Sequence, residues 1–223
     1  MTALAYQVSK LFCWLFFRCG FGLRVTGQQH VPARGAFILA SNHISYLDPP
    51  LVGAACPRRL AFMARADLFR HGLLGAWMRS VGVISLRRGE QDVGAMRQAI
   101  QVLRRGAPIA IFPEGTRQLS GRLGEAKRGV AILAALARVP IVPVLVQGTF
   151  EALPPGSRGL QKAKIRVAFG PPIPYTKQTL APDAPSAIGS GDESGAGSRR
   201  QHQEQLAAAV TQAWHRLQEQ DNR

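Results

Sequence analysis

Pro108-Ile109-Ala110-Ile111-Phe112-Pro113-Glu114-Gly115-Thr116-Arg117 is the stretch on which the fold turns. It opens as a short apolar run of strand length, and the proline, glycine and charges that follow end the strand in a tight polar turn. Outward from it, Glu125 to Ala137 reads as a helix and Ile141 to Val146 as another buried strand. Upstream, Asp92 to Leu103 keeps helical spacing and stops at Arg104-Arg105-Gly106, a basic last turn followed by glycine. Val83 to Leu86 and Leu60 to Met63 are strand candidates. Ala36-Phe37-Ile38-Leu39-Ala40 is a third, and it runs into a second polar turn, Asn42-His43-Ile44-Ser45-Tyr46-Leu47-Asp48-Pro49, with a helix expected from about Tyr46. Lys164 to Phe169 alternates in polarity, as an outer strand with one wet face would. Strand and helix in alternation predict an α/β fold, a sandwich with a largely parallel central sheet flanked by helices. Both polar turns then fall at carboxyl ends of strands, where such sheets gather their sites.

The two turns carry complementary chemistry. A histidine can take a proton from an alcohol at neutral pH if a partner fixes its tautomer and steadies the imidazolium. Asp48 suits that role for His43, provided that a turn ahead of the helix folds the carboxylate back; Ser45 is placed to help as an N-cap. No serine or cysteine here has the strand-turn-helix setting of a nucleophile, so direct attack by a substrate hydroxyl is favoured over a covalent intermediate. Arg117, and the arginines of Gly82-Val83-Ile84-Ser85-Leu86-Arg87-Arg88-Gly89, offer planar, permanently charged forks suited to phosphate. Gly115 permits close backbone approach, Glu114 can hold an arginine or a glycerol hydroxyl, and Thr116 can bond a phosphate or cap the turn. A base beside phosphate ligands points to an enzyme acting on a phosphorylated alcohol.

The chain has 223 residues, 46% hydrophobic, enough for one substantial core. Its net charge of +15 favours anionic partners. Nucleic acid is not the expected one, because no helix-turn-helix, zinc or RNA-binding motif is present and the aromatics lie in apolar runs. Ala152 to Pro182 holds Arg158, Lys162, Lys164, Arg166 and Lys177 with no acid, either a solvated face or a membrane-facing patch. Cys13, Cys19 and Cys56 have neither disulfide nor metal-ligand spacing. The division expected is a membrane-interface helix over 1–25, a catalytic domain over 26–178, a flexible linker over 179–200 and an amphipathic helix over 201–223. The first is apolar from Leu11 to Phe17 but is cut at Arg18, too short for the span of about 20 apolar residues that a bilayer requires. Leu4, Val8, Leu11, Phe12 and Leu15 share a helical face that Trp14, Phe16 and Phe17 widen. With Lys10, Arg18 and Arg24 at its flanks, it reads as an interfacial anchor, the alternative being a helix packed on the core. Leu206, Val210, Ala213, Trp214 and Leu217 give the last helix an apolar face for docking on the domain or on a membrane.

Asn-His-x4-Asp-Pro at 42–49, Gly-Val-Ile-Ser-Leu-Arg-Arg-Gly at 82–89, Phe-Pro-Glu-Gly-Thr-Arg at 112–117 and Val-Pro-Ile-Val-Pro at 139–143 together resemble the four ordered motifs of the glycerolipid acyltransferases. The likeness is nearest to the bacterial 1-acylglycerol-3-phosphate (lysophosphatidic acid) acyltransferases and covers residues 20 to 175. It implies that His43 is the general base for the acceptor hydroxyl and Asp48 its orienter. It also implies that Arg88, Glu114, Gly115 and Arg117 bind the acceptor head group, and that Pro143 belongs to a motif shaping the site. Arg87 stands where the family often has an acid, which keeps both Arg87 and Arg88 as candidates. The implied reaction moves an acyl group from acyl-CoA or acyl-carrier protein to the 2-hydroxyl of the lysolipid, giving phosphatidic acid for phospholipid synthesis. No metal or prosthetic group is implied, and the enzyme would lie on the cytoplasmic face of the inner membrane, against an anionic surface. Alternatives are another acceptor, such as lysophosphatidylglycerol or a lyso-ornithine lipid, and a non-catalytic lipid-binding protein.

Overall fold

The computed structural model describes residues 3–70, 72–86, 93–157, 159–175 and 193–221. In chain order its elements are α1 (Ala3–Phe21), β1 (Arg24–Thr26), β2 (Ile38–Ser41), α2 (Asp48–Ala55), β3 (Met63–Arg65), α3 (Gly72–Val81), β4 (Ile84–Leu86), α4 (Val93–Arg104), β5 (Ile109–Ile111), α5 (Gly129–Ala137), β6 (Ile141–Gln147), α6 (Thr149–Ala152), β7 (Arg166–Phe169) and α7 (Glu193–Asp221). Five strands form the main sheet in the order β1-β7-β6-β2-β5, and every pairing is parallel except β6 with β7. β3 and β4 make a separate parallel pair, and a parallel bridge from Ala61 to Ile109 carries the main sheet toward it.

The strand alternation sorts side chains to two faces. Leu39, Val142, Val144 and Val146 pack with Phe17 and Phe21 of α1 and with Leu51, Val52 and Ala55 of α2. Ile38, Ala40, Ile141 and Leu145 face the other way, into a core completed by α4, α5 and α7. The inner strand β2 is buried along its whole length. Such runs of continuous apolar residues are what a parallel strand covered on both sides requires.

Several sequence expectations move. β7 is not an outer strand, because Arg24–Thr26 pairs with it and takes the edge. Helix α2 starts at Asp48 rather than Tyr46, with Pro49 and Pro50 in the first turn, where their missing N–H groups cost nothing. Leu47, not Ser45, holds its N-cap, and Ser45 Oγ instead accepts a hydrogen bond from the Leu47 N–H. Helix α5 starts at Gly129 rather than Glu125, since the preceding backbone spends its donors elsewhere: Ala126 N–H on Thr211 Oγ1 and Lys127 N–H on the Pro113 carbonyl. Pro143 sits inside β6, normally a poor place for proline. It is accommodated because β7 ends at Phe169, paired to Val144, so no strand N–H is needed from Pro143, while its carbonyl still accepts the Gly170 N–H at 2.8 Å.

The two terminal helices behave differently. Phe16 and Phe17 of α1 turn inward, with Phe17 buried, and Lys10 donates to the Cys56 carbonyl at 2.6 Å instead of flanking an anchor. Leu4, Val8, Leu11, Phe12 and Leu15 stay exposed, as does Leu73 at the start of α3, which packs beside α1. Among the described residues no helix is long and apolar enough to cross a membrane. α7 begins at Glu193, so it takes in residues 193–200 of the expected linker; 179–192 lie outside the described residues. Its apolar face docks on the domain: Leu206, Val210, Ala213, Trp214 and Leu217 are buried, and the Trp214 indole donates to the Ala40 carbonyl at 3.1 Å. The same helix ends with Asp221 ion-paired to Arg166, so the basic stretch after Ala152 is partly neutralised.

Candidate active site

β2 and β5 lie side by side in parallel register, so the segments after Ser41 and Ile111 leave the sheet at the same edge and meet. The His43 backbone N–H donates to Glu114 Oε1 at 2.9 Å, and the Gln118 N–H returns a bond to the His43 carbonyl at 2.8 Å. Asn42 ties the first loop to a third strand. Its Nδ2 donates to the Val146 carbonyl at 3.0 Å and its Oδ1 accepts the Val146 N–H at 2.7 Å. A side-chain amide thereby continues the ladder that the β2 backbone leaves off at Ser41.

Within this frame Asp48 is completely buried and its carboxylate is fully used. Oδ2 accepts the N–H groups of Ile44 and Ser45, both at 2.7 Å, and lies 2.9 Å from His43 Nδ1. Oδ1 accepts the Thr149 hydroxyl at 2.6 Å. Because the carboxylate cannot donate, Nδ1 carries the proton of that bond, and Nε2 is left as the acceptor nitrogen. The imidazole is partly open to solvent and stacks on Phe112, ring centres 4.3 Å apart. Carboxylate below and ring behind fix the imidazole in both direction and tautomer. The five-residue spacing works because the turn over 43–47 precedes the helix.

The second turn splits by burial. Glu114 is only 2% exposed, so it lies beneath the loop and does not present its carboxylate to an incoming head group, contrary to the sequence expectation. Among the described residues its Oε2 finds no hydrogen-bond partner, and it abuts Gly124, where an added Cβ would stand 2.8 Å from it. Burial pushes the Glu114 carboxyl above its ordinary pKa, opposed by the His43 N–H and the neighbouring Gln118 amide. Gly115 and Thr116 are exposed. Gly115 has a positive φ of 78°, and the Lys127 ammonium lies 3.0 Å from where its Cβ would be, so a side chain here would meet both backbone strain and that amine. The Arg117 guanidinium lies 3.4 Å from the centre of the exposed Tyr46 ring.

Arg87 and Arg88 lie outside the described residues; β4, which ends at Leu86, is parallel to β3. Pro143 lies in β6 opposite Ala40, three residues before the strand's contact with Asn42. Phe112, Thr149 and Tyr46 were not singled out by sequence. Only Phe112 and Tyr46 had a local signal, their place inside the two motifs; Thr149 reaches Asp48 across 101 residues. Among the described residues no group of three or more His, Cys, Asp or Glu side chains is placed to hold a metal.

A base held by a buried carboxylate thus lies beside a cationic turn at the carboxyl edge of a mainly parallel sheet. The chain belongs to the Acyltransferase family, whose model matches residues 22–147 and thus both turns. It is 30% identical to the chloroplastic 1-acyl-sn-glycerol-3-phosphate acyltransferase of Arabidopsis thaliana, over 81% of this chain and 52% of that one. With the 1-acyl-sn-glycerol-3-phosphate acyltransferase of Bacillus subtilis it shares 26% identity over 68% of this chain and 74% of that one. The chain spans about half the length of the plant relatives it matches. The crystal structure of the 1-acyl-sn-glycerophosphate acyltransferase of Thermotoga maritima superposes with a TM-score of 0.69 at 24% identity, covering 93% of this chain and 78% of that one, and shares the fold.

Proposed function

We propose that the protein transfers a fatty acyl group from acyl-CoA or acyl-carrier protein to the 2-hydroxyl of 1-acylglycerol-3-phosphate, giving phosphatidic acid. The observation that carries this reading is the His43–Asp48 pair, 2.9 Å apart, in a loop hydrogen-bonded to the Glu114–Arg117 turn. His43 Nε2 takes the hydroxyl proton as the acceptor oxygen attacks the thioester carbonyl. The carbon–sulfur bond then breaks, and the imidazolium returns the proton to the departing thiolate. Asp48 stays ionised throughout, steadying the imidazolium. Arg117, with Arg87, Arg88 and the exposed Gly115 and Thr116, forms the head-group side, while Glu114 braces the base from below. The thioester arrives already activated and the imidazole supplies the proton transfer, so we take the reaction to need no resident metal or prosthetic group.

For location, we infer that the protein lies on the cytoplasmic face of the inner membrane, with the exposed apolar face of α1 in the head-group layer. The opposite face of α1 is part of the core, so exposed-face substitutions are a cleaner probe than deletion. Leu11→Asp with Phe12→Asp is expected to weaken sedimentation with anionic vesicles while leaving thermal stability and turnover of detergent-dispersed substrate near wild type. Equal loss in all three would remove the anchor.

The acceptor is tested by a panel of lysophosphatidic acid, lysophosphatidylglycerol, lyso-ornithine lipid and monoacylglycerol, scored by mass of the acylated product. Highest kcat/KM on lysophosphatidic acid is expected; preference for another member would reassign the acceptor.

A further inference from the structure

Tyr46 is the one residue of the 42–49 turn with a large exposed ring, and the sequence reading gave it no role. It sits between base and orienter, 62% exposed, with the Arg117 guanidinium 3.4 Å from its ring centre. Among the described residues no carboxylate is ion-paired with Arg117, and its guanidinium lies over the π face of the ring. The base loop and the arginine turn are bolted together by two hydrogen bonds of the His43 backbone, its N–H to Glu114 Oε1 and its carbonyl from the Gln118 N–H. The ring and the guanidinium therefore keep their relation to the imidazole whenever the loop is formed. A long arginine on an exposed turn would otherwise sample many rotamers, and each would have to be given up when an anion binds.

Resting on the acyltransferase reading, we propose that Tyr46 is a positioning residue for the acceptor: its ring is the shelf that holds the Arg117 guanidinium flat at the mouth of the site, ready for the acceptor's phosphate. Stacking uses the face of the guanidinium and leaves its in-plane N–H donors free, the geometry that two-point binding of phosphate needs. The shelf acts on binding of the phosphorylated end, not on proton transfer, so it belongs in KM. It also needs an aromatic ring rather than a hydroxyl, since the contact is with the ring face.

The test compares wild type, Tyr46→Leu and Tyr46→Phe in the full chain, each checked by thermal melting. Tyr46→Leu is expected to raise KM for lysophosphatidic acid about two- to fivefold with kcat within about twofold, the size of an exposed cation–π contact. Tyr46→Phe should restore the wild-type KM. Monoacylglycerol, which lacks the phosphate, should be turned over equally by all three. In an Arg117→Ala background Tyr46→Leu should add nothing, because the shelf then has nothing to hold. Independently of turnover, calorimetric titration with glycerol 3-phosphate should show weaker binding to Tyr46→Leu than to wild type and to Tyr46→Phe. Unchanged KM in Tyr46→Leu, failure of phenylalanine to rescue, or full additivity with Arg117→Ala would overturn the shelf. Wild type that binds glycerol 3-phosphate but does not acylate lysophosphatidic acid would sink the acceptor assignment and leave the shelf to be judged on binding alone. Wild type that binds no glycerol 3-phosphate would overturn the shelf itself.

Discussion

The turn after β2 and the turn after β5 leave the same edge of the same sheet, yet they are built on opposite plans. In the first, the key carboxylate, Asp48, is wholly buried with both oxygens satisfied by two backbone N–H groups, an imidazole and a hydroxyl. In the second, the buried carboxylate, Glu114, has one oxygen on the His43 N–H and the other without a hydrogen bond among the described residues, while Gly115 and Thr116 are exposed and Arg117 is partly so. One turn is closed so that a base has a single orientation; the other is open so that a charge can be met. A site for proton transfer needs the first property and a site for an anion the second. The hydrogen bonds between the turns let both properties exist within one small area.

Substitutions separate the two plans, and the largest effect is expected at the closed turn. Asp48→Asn keeps shape but removes the charge that steadies the imidazolium and allows the wrong tautomer, so kcat should fall about 10²- to 10⁴-fold with KM little changed. A loss confined to KM would mean that Asp48 serves the acceptor rather than the base. At the open turn, Arg117→Ala should raise KM for lysophosphatidic acid about ten- to a hundredfold, the worth of a charge-assisted hydrogen bond, with kcat less affected. A dominant kcat effect there would erase the contrast. Thr149→Val leaves Asp48 Oδ1 buried without its donor, and chemical denaturation should show a loss of about 1–3 kcal/mol.

The smallest effect is expected at Glu114, read through pH. Burial raises its folded-state pKa above the unfolded value, so the folded state binds the proton more tightly. Its contribution to stability is full below the unfolded pKa, about 4.3, and is lost as pH rises through the raised folded value. Glu114→Gln keeps an oxygen for the His43 N–H and does not titrate. The variant should therefore gain on wild type in stability as pH rises from below that window to neutrality. Parallel stability profiles would show that the buried carboxyl carries no such strain.

The strands and the two turns were legible in the sequence because each depends on local pattern: apolar runs of strand length, then proline, glycine and charge. The approach of His43 to Asp48 was legible too, since a turn between strand and helix can fold a carboxylate five residues on back to the imidazole, although the helix start itself was misplaced to Tyr46. Hidden from local pattern was whatever depends on contacts distant in sequence. β1 is three residues long and exists by pairing with β7 near the other end of the chain. Asn42 finds Val146, and Asp48 finds Thr149, across more than a hundred residues. Glu114 looked like a ligand because acids in polar turns are normally solvated; the folded chain leaves it only 2% exposed, with Gly124 packed against it. The terminal helices make the same point. Both have an apolar face at helical spacing, but periodicity does not say what covers a face: α7 buries its own against the sheet, whereas Leu4, Val8, Leu11 and Phe12 of α1 remain exposed.

The central claim is that His43 takes the proton from a lysolipid hydroxyl during acyl transfer. Its most direct test is thiol release by purified protein supplied with acyl-CoA, and in parallel with acyl-carrier protein, with and without lysophosphatidic acid, for wild type and for His43→Ala of matched thermal stability. Release that requires the acceptor in wild type and is lost in His43→Ala is the expected result. Acceptor-dependent release that survives in His43→Ala, or no release from either donor, would contradict it.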